Sequence, residues 1–325
     1  VETINTYSLP VLPKLRSLTV PSGHPNYQSL GGVLYDKEMT RIVLYPPGKE
    51  GSYRVPEGVT VLHLQNARSL TEVIITEGEE YHVSFEGCVS LREVTLPEGI
   101  RSLWGGFRFC ESLERVSLPA RMEWISERTF ADCPVLASIE VNPDNANYSS
   151  IDGVLYNAEA TTLIRCPEGK SGAYVVPDSV ESIASREYYW EECGFDGGWG
   201  WYDLPFDDAV EVDGHWVFAE DLDPEPVADR GDGLTGEGAF ESCRLLTSVT
   251  LPEGLSTIGM FTFHHCVGLT SVTIPASVTK LREYAFADCS KLKSVEFLGN
   301  APVSHDPGFY YWPYELSLIH ISEPT

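Results

Sequence analysis

The sequence predicts a β-rich repeat solenoid, a coil of short parallel strands with two hairpin-bearing repeat elements and one irregular acidic, aromatic insertion. Three observations lead to this prediction: a short motif that recurs six times, a 45-residue segment that occurs twice, and one stretch in which the periodicity stops. Repeats this short predict a stack, because a single unit cannot bury its own apolar face.

The recurring motif is Phe-x-x-Cys followed by x-x-Leu-x-x-(Val/Ile)-x-(apolar), and successive cysteines within its two blocks lie 22 or 23 residues apart. The Val-x-Leu alternation predicts a short strand with one face turned inward. A proline ends that strand, because proline has no N–H for a ladder. We expect the phenylalanine to fill the far side of the interior. The structural repeat residues are Phe85, Cys88, Phe107, Cys110, Phe130, Cys133, Phe240, Cys243, Phe263, Cys266, Phe286 and Cys289.

The longer repeat aligns residues 15–59 with residues 136–180 without a gap, at an offset of 121, and 20 of the 45 positions are identical. The first copy contains two apolar runs, Val33–Tyr35 and Ile42–Tyr45, separated by polar residues. This pattern predicts a β-hairpin in each copy. We expect the hairpins to project from the coil.

The repeat resembles the BspA-like (treponemal-type) leucine-rich-repeat family, whose units carry AFxxCxxLxxVxLP. Ala239-Phe240 and Ala285-Phe286 match the start of that unit, and the resemblance extends from about Leu15 to Phe297 apart from the insertion. It implies a right-handed leucine-rich-repeat coil in a bacterial cell-surface or secreted protein. It also implies a binding or adhesion role without catalytic activity, with a host extracellular-matrix or other surface protein as partner.

The periodicity fails in residues 185–238, which hold sixteen Asp and Glu against two Arg, and four of the seven Trp. Within this insertion, Val210–Phe218 predicts a hairpin with an Asp-Gly turn, and Leu222–Gly236 predicts a loop. The chain therefore divides into N-terminal repeats (1–184), the insertion (185–238), C-terminal repeats (239–299) and the start of a next turn or cap (300–315).

The insertion is the candidate binding element, because insertions in solenoids map to loops on one face, often the binding face. Exposed aromatic rings beside carboxylates would stack on sugar rings and accept hydrogen bonds from hydroxyls, which makes a glycan an alternative partner. In the simpler interpretation the aromatic residues form a small core and the acids are its solvated face. Arg230-Gly231-Asp232 is the tripeptide that integrins read on exposed loops. The candidate binding residues are Trp190, Trp199, Trp201, Tyr202, Trp216, Arg230, Gly231 and Asp232.

Metal binding has one weak candidate, a Ca²⁺ site formed by the carboxylates of Asp221, Asp223 and Glu225. The EF-hand spacing is not met, so a solvated acidic loop is the alternative, and no other cofactor is expected. The six motif cysteines predict a buried, reduced column, because in-register Cβ atoms about 4.8 Å apart exceed the disulfide range. We expect Cys166 and Cys193 to lie outside that column, with Cys193 the one reactive candidate.

The net charge of −26 argues against nucleic acid and against anionic lipid surfaces as partners. The sequence has no apolar run of eighteen residues, so no membrane insertion is expected in this fragment. A third functional alternative is a passive spacer for an enzyme domain outside the fragment. The chain starts without Met, and residues 316–325 resemble a translated sequencing adapter, so we expect the native protein to stop near Glu315.

Overall fold

The computed structural model describes residues 12–76, 78, 81–103, 106–126, 128–185, 238–282 and 284–299 in full. It also describes the backbone of strands at 209–212, 215–218 and 318–321. The regular elements of these residues are all β-strands. The described residues contain no helix long and apolar enough to cross a bilayer. The chain forms two units, one of Val1–Arg186 with Thr235–Thr325 and the other of Glu187–Leu234.

Seventeen strands of the described residues precede the insertion. They are β1 (Tyr27–Leu30), β2 (Val33–Asp36), β3 (Ile42–Leu44), β4 (Gly51–Arg54), β5 (Val61–His63), β6 (Leu70–Ile74), β7 (His82–Ser84), β8 (Glu93–Thr95), β9 (Ser102–Leu103), β10 (Arg115–Leu118), β11 (Trp124–Ile125), β12 (Ser138–Val141), β13 (Tyr148–Ile151), β14 (Val154–Asn157), β15 (Thr162–Arg165), β16 (Gly172–Val175) and β17 (Ser182–Ile183).

The remaining strands are β18 (Ala209–Val212) and β19 (His215–Phe218) within the insertion, followed by β20 (Leu246–Thr250), β21 (Thr257–Ile258), β22 (Ser271–Ile274), β23 (Lys280–Leu281), β24 (Ser294–Phe297) and β25 (Leu318–Ile321). Strand β25 pairs in parallel with β24.

One side of the coil consists of two parallel sheets with one strand from each turn. The N-terminal sheet has the order β12-β10-β8-β6-β4, and the C-terminal sheet has the order β16-β20-β22-β24-β25. Short parallel pairs form the other side, among them β5 with β7, β9 with β11 and β21 with β23. The predicted solenoid of short parallel strands is therefore confirmed.

The motif phenylalanines stack inside the coil. Phe85 lies over Phe107 with ring centroids 5.0 Å apart, and Phe263 lies over Phe286 at the same separation. Phe240 continues the C-terminal stack at 4.8 Å from Phe263. All six motif rings are at least 97% buried. Burial of a Phe side chain contributes about 1.5–3 kcal/mol, so these stacks are a main source of stability.

The residue before each motif cysteine adopts a left-handed backbone conformation. In such a turn the cysteine N–H reaches back to the carbonyl of the motif phenylalanine, as from Cys88 to Phe85 at 3.0 Å. Left-handed geometry costs a non-glycine residue about 1–2 kcal/mol, yet only one of the six positions is glycine. The φ angles are +71° at Gly87, +60° at Phe109, +56° at Asp132, +61° at Ser242, +60° at His265 and +57° at Asp288.

The two 45-residue copies fold alike, each as three antiparallel strands, β1-β2-β3 and β13-β14-β15, and the second set continues in parallel into β17. The hairpins are confirmed, but the expectation that they project is wrong for the strands that contain the apolar runs. Val33 and Ile42 are at least 99% buried, because the second and third strands are part of the coil wall. In each copy two buried tyrosine hydroxyls bond to each other, Tyr35 to Tyr53 at 2.8 Å and Tyr156 to Tyr174.

The coil closes directly across the insertion. The N–H of Ala239 donates to the carbonyl of Ala184 at 2.9 Å, and the N–H of Cys166 donates to the carbonyl of Ala239 at 2.7 Å. Strand β16 then pairs in parallel with β20, from the far side of the insertion in sequence. In the insertion itself, β18 and β19 form an antiparallel pair, which confirms the hairpin within Val210–Phe218. Its Asp213-Gly214 turn lies outside the described residues.

Candidate binding surface

The outer face of the N-terminal sheet presents two columns of side chains that the fold does not bury. Strand alternation sends Val73, Val94 and Val116 inward and their neighbours outward. In register, the first column consists of Ser52, Glu72, Glu93, Arg115 and Ser138. The second column consists of two paired runs, Arg54 with Ile74, and Thr95 with Ser117 and Glu140.

Exposed charges of both signs lie on this face, with Glu72 beside Glu93 and Glu93 beside Arg115. Arg115 Nη1 lies 3.9 Å from Glu93 Oε1, and the two side chains are 60% and 63% exposed. Exposed pairs of this kind contribute about 0–1 kcal/mol to stability, so the coil does not depend on them. These groups are therefore free to serve recognition.

The outer face of the C-terminal sheet differs in chemistry. Its strands place hydroxyl side chains in the same two columns, and Val175 stands 66% exposed at one end. In the outward-facing columns of β16, β20, β22 and β24, the one charged residue is Glu296. The in-register columns are Ala173, Ser248, Ser271 and Ser294, and Val175, Thr250, Thr273 and Glu296.

The motif cysteines are free and buried, as predicted. Each thiol donates to a main-chain carbonyl of the preceding turn, for example from Cys110 Sγ to Phe85 O at 3.2 Å and from Cys289 Sγ to Phe263 O at 3.0 Å. Burial raises the pKa of Cys88 to about 12. A thiol with so high a pKa is a poor nucleophile, so this column is structural.

The expectation that Cys166 lies outside the column is wrong. Cys166 is fully buried, and Cys243 Sγ lies 3.5 Å from its carbonyl oxygen, so Cys166 forms the base of the C-terminal run of thiols. The reason is the offset of 121, which places Cys166 where the first copy has Tyr45, a core position. Cys193 lies outside the described residues.

A histidine between two carboxylates lies on the edge of the C-terminal block, and sequence reasoning missed it. His264 Nδ1 lies 2.9 Å from Glu241 Oε1, and His264 Nε2 lies 3.3 Å from Asp288 Oδ2. The hydrogen bond to Glu241 raises the pKa of His264 despite its partial burial. The carboxylates meet opposite nitrogens of one ring, and the described residues hold no group of three or more potential ligands arranged for a metal. Comparison of the same motif position across turns would have found this arrangement.

A buried ion pair lies beside the closure. Arg165 Nη2 and Glu168 Oε1 are 2.9 Å apart, and both side chains are about 95% buried. Glu168 also accepts from the N–H of Asp132 at 2.9 Å, and Arg165 Nη1 donates to the carbonyl of Gly238 at 3.3 Å. The pair thus connects the turn before the second hairpin element to the residue at which the chain re-enters the coil.

The candidate residues of the insertion are not brought together by anything in the described structure. Trp216 lies on β19, with its backbone in register with Glu211. The remaining candidates lie outside the described residues, so the binding and Ca²⁺ assignments stay predictions. These residues are Trp190, Trp199, Trp201, Tyr202, Asp221, Asp223, Glu225, Arg230, Gly231 and Asp232.

Comparison with solved structures found similar chains. The chain is similar to the pneumococcal vaccine antigen PcpA, at 19% identity over 95% of this chain and 78% of that one, with a TM-score of 0.50. It is also similar to a leucine-rich cell surface protein from Faecalibacterium prausnitzii A2-165, at 19% identity over 93% and 87% of the two chains and a TM-score of 0.46. No curated protein matches.

The sequence profile described as the BspA type leucine-rich repeat region matches in six copies. The matched residues are 65–169 and 235–323, which together are more than half of the chain. The matches leave out residues 170–234, which hold most of the insertion, and include both runs of motif turns. The chain therefore belongs to the BspA-type leucine-rich-repeat family.

Proposed function

We propose that this protein is a cell-surface or secreted adhesion module that binds another protein and has no catalytic activity of its own. The observation that carries the proposal is the outer face of the N-terminal sheet, with its exposed charges of both signs. Solenoid surfaces of this kind suit recognition of extended protein surfaces. The surface location is proposed from family membership.

The face favours a protein partner because its charges are placed for specificity. Arg115 and Glu93 lie side by side on neighbouring strands, with Arg54 and Glu140 towards opposite ends of the sheet. Complementary charges on a partner would fix its orientation and steer its approach. In a chain of net charge −26, the two arginines also supply local positive sites for an acidic segment.

The test is a binding experiment with immobilised protein and a solubilised extracellular-matrix extract as the probe. Arg115→Glu is compared with Arg101→Glu, a matched exposed arginine that pairs with Glu123 at 2.7 Å on the other side of the coil. We expect wild type and Arg101→Glu to retain the same proteins, and Arg115→Glu to retain them about tenfold more weakly, as for a lost charge contact of about 1.4 kcal/mol.

A third arm replaces residues 187–236 by a short linker, which separates binding by the coil from binding by the insertion. If retention of partner proteins depends on the insertion and not on Arg115, the binding site lies on the insertion and not on the sheet face. No retained protein with wild type would contradict the proposed function.

A further inference from the structure

We infer that Glu241, His264 and Asp288 form a pH-responsive clamp that holds the point at which the chain re-enters the coil. The three residues come from three successive turns of the C-terminal block. The imidazole bridges them with its two nitrogens, at 2.9 Å from Glu241 and 3.3 Å from Asp288. One ring therefore connects three turns through side chains alone. The inference is independent of what the protein binds.

The clamp reaches the re-entry point through Glu241. The N–H of Gly238 donates to Glu241 Oε2 at 3.3 Å, while Glu241 Oε1 faces His264. Arg165 donates to the carbonyl of the same glycine from the other side. Gly238 is thus held at its N–H by the clamp and at its carbonyl by the buried ion pair. A weaker bond between Glu241 and His264 would loosen the first of these contacts.

The N-terminal block has an arginine where the clamp has its histidine. Its turns place Glu86, Arg108 and Asp132 at the motif position that Glu241, His264 and Asp288 occupy, directly after the phenylalanine in the first two turns and one residue later in the third. Arg108 Nε lies 3.7 Å from Asp132 Oδ2. An arginine keeps its charge at all physiological pH values, whereas a histidine changes charge between about pH 5 and 8. Arg108 therefore provides a comparison position at which the charge of the central side chain is fixed.

The sign of the effect follows from the groups that face the ring. The bond to Glu241 raises the pKa of His264 above 6.5, so its stabilisation is present below that value and is lost as pH rises through the raised pKa. Burial opposes ionisation of Glu241. The hydrogen bond and charge of His264, the charge of Arg165 and the bond from the Gly238 N–H together outweigh burial and lower the Glu241 pKa below 4.5. The Glu241 contribution is therefore lost only as pH falls through that lowered pKa. The clamp is strongest in mildly acidic conditions.

Two further groups lie near the clamp. The ring centroid of His265 is 5.9 Å from that of His264, and the charge of Arg244 acts on His265. Burial first, and then the charges of Arg244 and His264, lower the pKa of His265. Its contribution to stability is lost as pH falls, which opposes that of His264. The experiment therefore uses the full chain with His265→Gln as the parent, so that the remaining response belongs to the clamp.

The measurement is hydrogen exchange of the Gly238 amide at pH 6 and pH 8, corrected for intrinsic exchange rates. We expect the Gly238 amide of the parent to be at least about threefold more protected at pH 6 than at pH 8, because the stabilisation from His264 is lost as pH rises through its raised pKa. Adding His264→Arg, which reproduces the arginine found at position 108, should give high protection at both pH values. Adding His264→Gln should give low protection at both.

Amides of β10 in the N-terminal block are the internal control and should show no pH dependence of protection. Circular dichroism establishes that each variant is folded, and His264→Arg keeps the proposal testable if His264→Gln does not fold. Equal protection of Gly238 at both pH values in the parent would overturn the clamp. So would a pH response that persists in His264→Arg.

Discussion

The backbone N–H of Ala239 donates to the carbonyl of Ala184 at 2.9 Å, although residues 185–238 separate them in sequence. The chain leaves the coil and returns to it at adjacent points, so the coil wall is continuous without the insertion. Insertions are tolerated where the flanking hydrogen bonds are complete. The two units therefore have separable roles in stability.

The first prediction concerns removal of the insertion. Replacement of residues 187–236 by a short Gly/Ser linker should leave the coil folded and its unfolding cooperative, because the Ala184–Ala239 bond and the β16–β20 pairing remain. Thermal unfolding followed by circular dichroism measures this. Leu246→Glu in the full chain is the control for a disrupted coil, since Leu246 is fully buried. A broad, non-cooperative transition in the linker variant would contradict the prediction.

The second prediction concerns thiol reactivity. In a Cys193→Ser chain the native protein should show no thiol that reacts within minutes with a disulfide reagent at pH 8. The Cys88 thiol is buried with its pKa raised to about 12, so only about one thiol in 10⁴ would ionise at pH 8 even with free access. Guanidinium should expose seven reactive thiols, those of Cys166 and the six motif cysteines. A fast-reacting thiol in the native state would mean that the column is open.

The third prediction concerns the buried ion pair of Arg165 and Glu168. Arg165→Leu alone should destabilise the protein by about 3–5 kcal/mol, because it leaves a buried carboxylate without its partner charge. The first copy has Leu44 and Pro47 at the equivalent positions. The double change Arg165→Leu/Glu168→Pro should therefore recover most of the loss, to within about 2 kcal/mol of wild type. Chemical denaturation measures both free energies of unfolding, and additive losses would refute the prediction.

The fourth prediction concerns the left-handed positions. Ser242→Gly should stabilise the protein by about 0.5–1 kcal/mol, since relief of about 1–2 kcal/mol of strain exceeds the added entropy of the unfolded chain. Ser242 has a φ of +61°. The matched control is Ser248→Gly in β20, where glycine should cost about 0.5–1 kcal/mol. The two variants are compared by denaturant midpoint, and a loss of stability at both sites would count against the role of backbone strain.

The fold could be predicted because the pattern of inward-facing apolar residues that produces it repeats in the sequence. The motif that contains Phe107 and Phe263 recurs with its cysteine at a fixed spacing, so the same inward-facing positions can be read from several turns. The position of Cys166 was missed because its turn lacks the motif, although the offset of 121 aligns it with a buried tyrosine. Contacts between turns are harder to predict. His264 lies 23 residues from Glu241 and 24 from Asp288, and only the stack brings them within hydrogen-bond distance.

The hairpin elements form the same bonds to their surroundings in both copies. Leu18 donates to Gly32 as Ile139 does to Gly153, at 2.8 and 2.9 Å, and Gly48 donates to Leu15 as Gly169 does to Leu136, both at 2.8 Å. The segments that start at residues 15 and 136 therefore join the coil through the same two main-chain bonds. Recombination between the two copies would lengthen or shorten the protein by 121 residues and keep both bonds. The number of repeats can therefore change during evolution while the core residues of each turn stay the same.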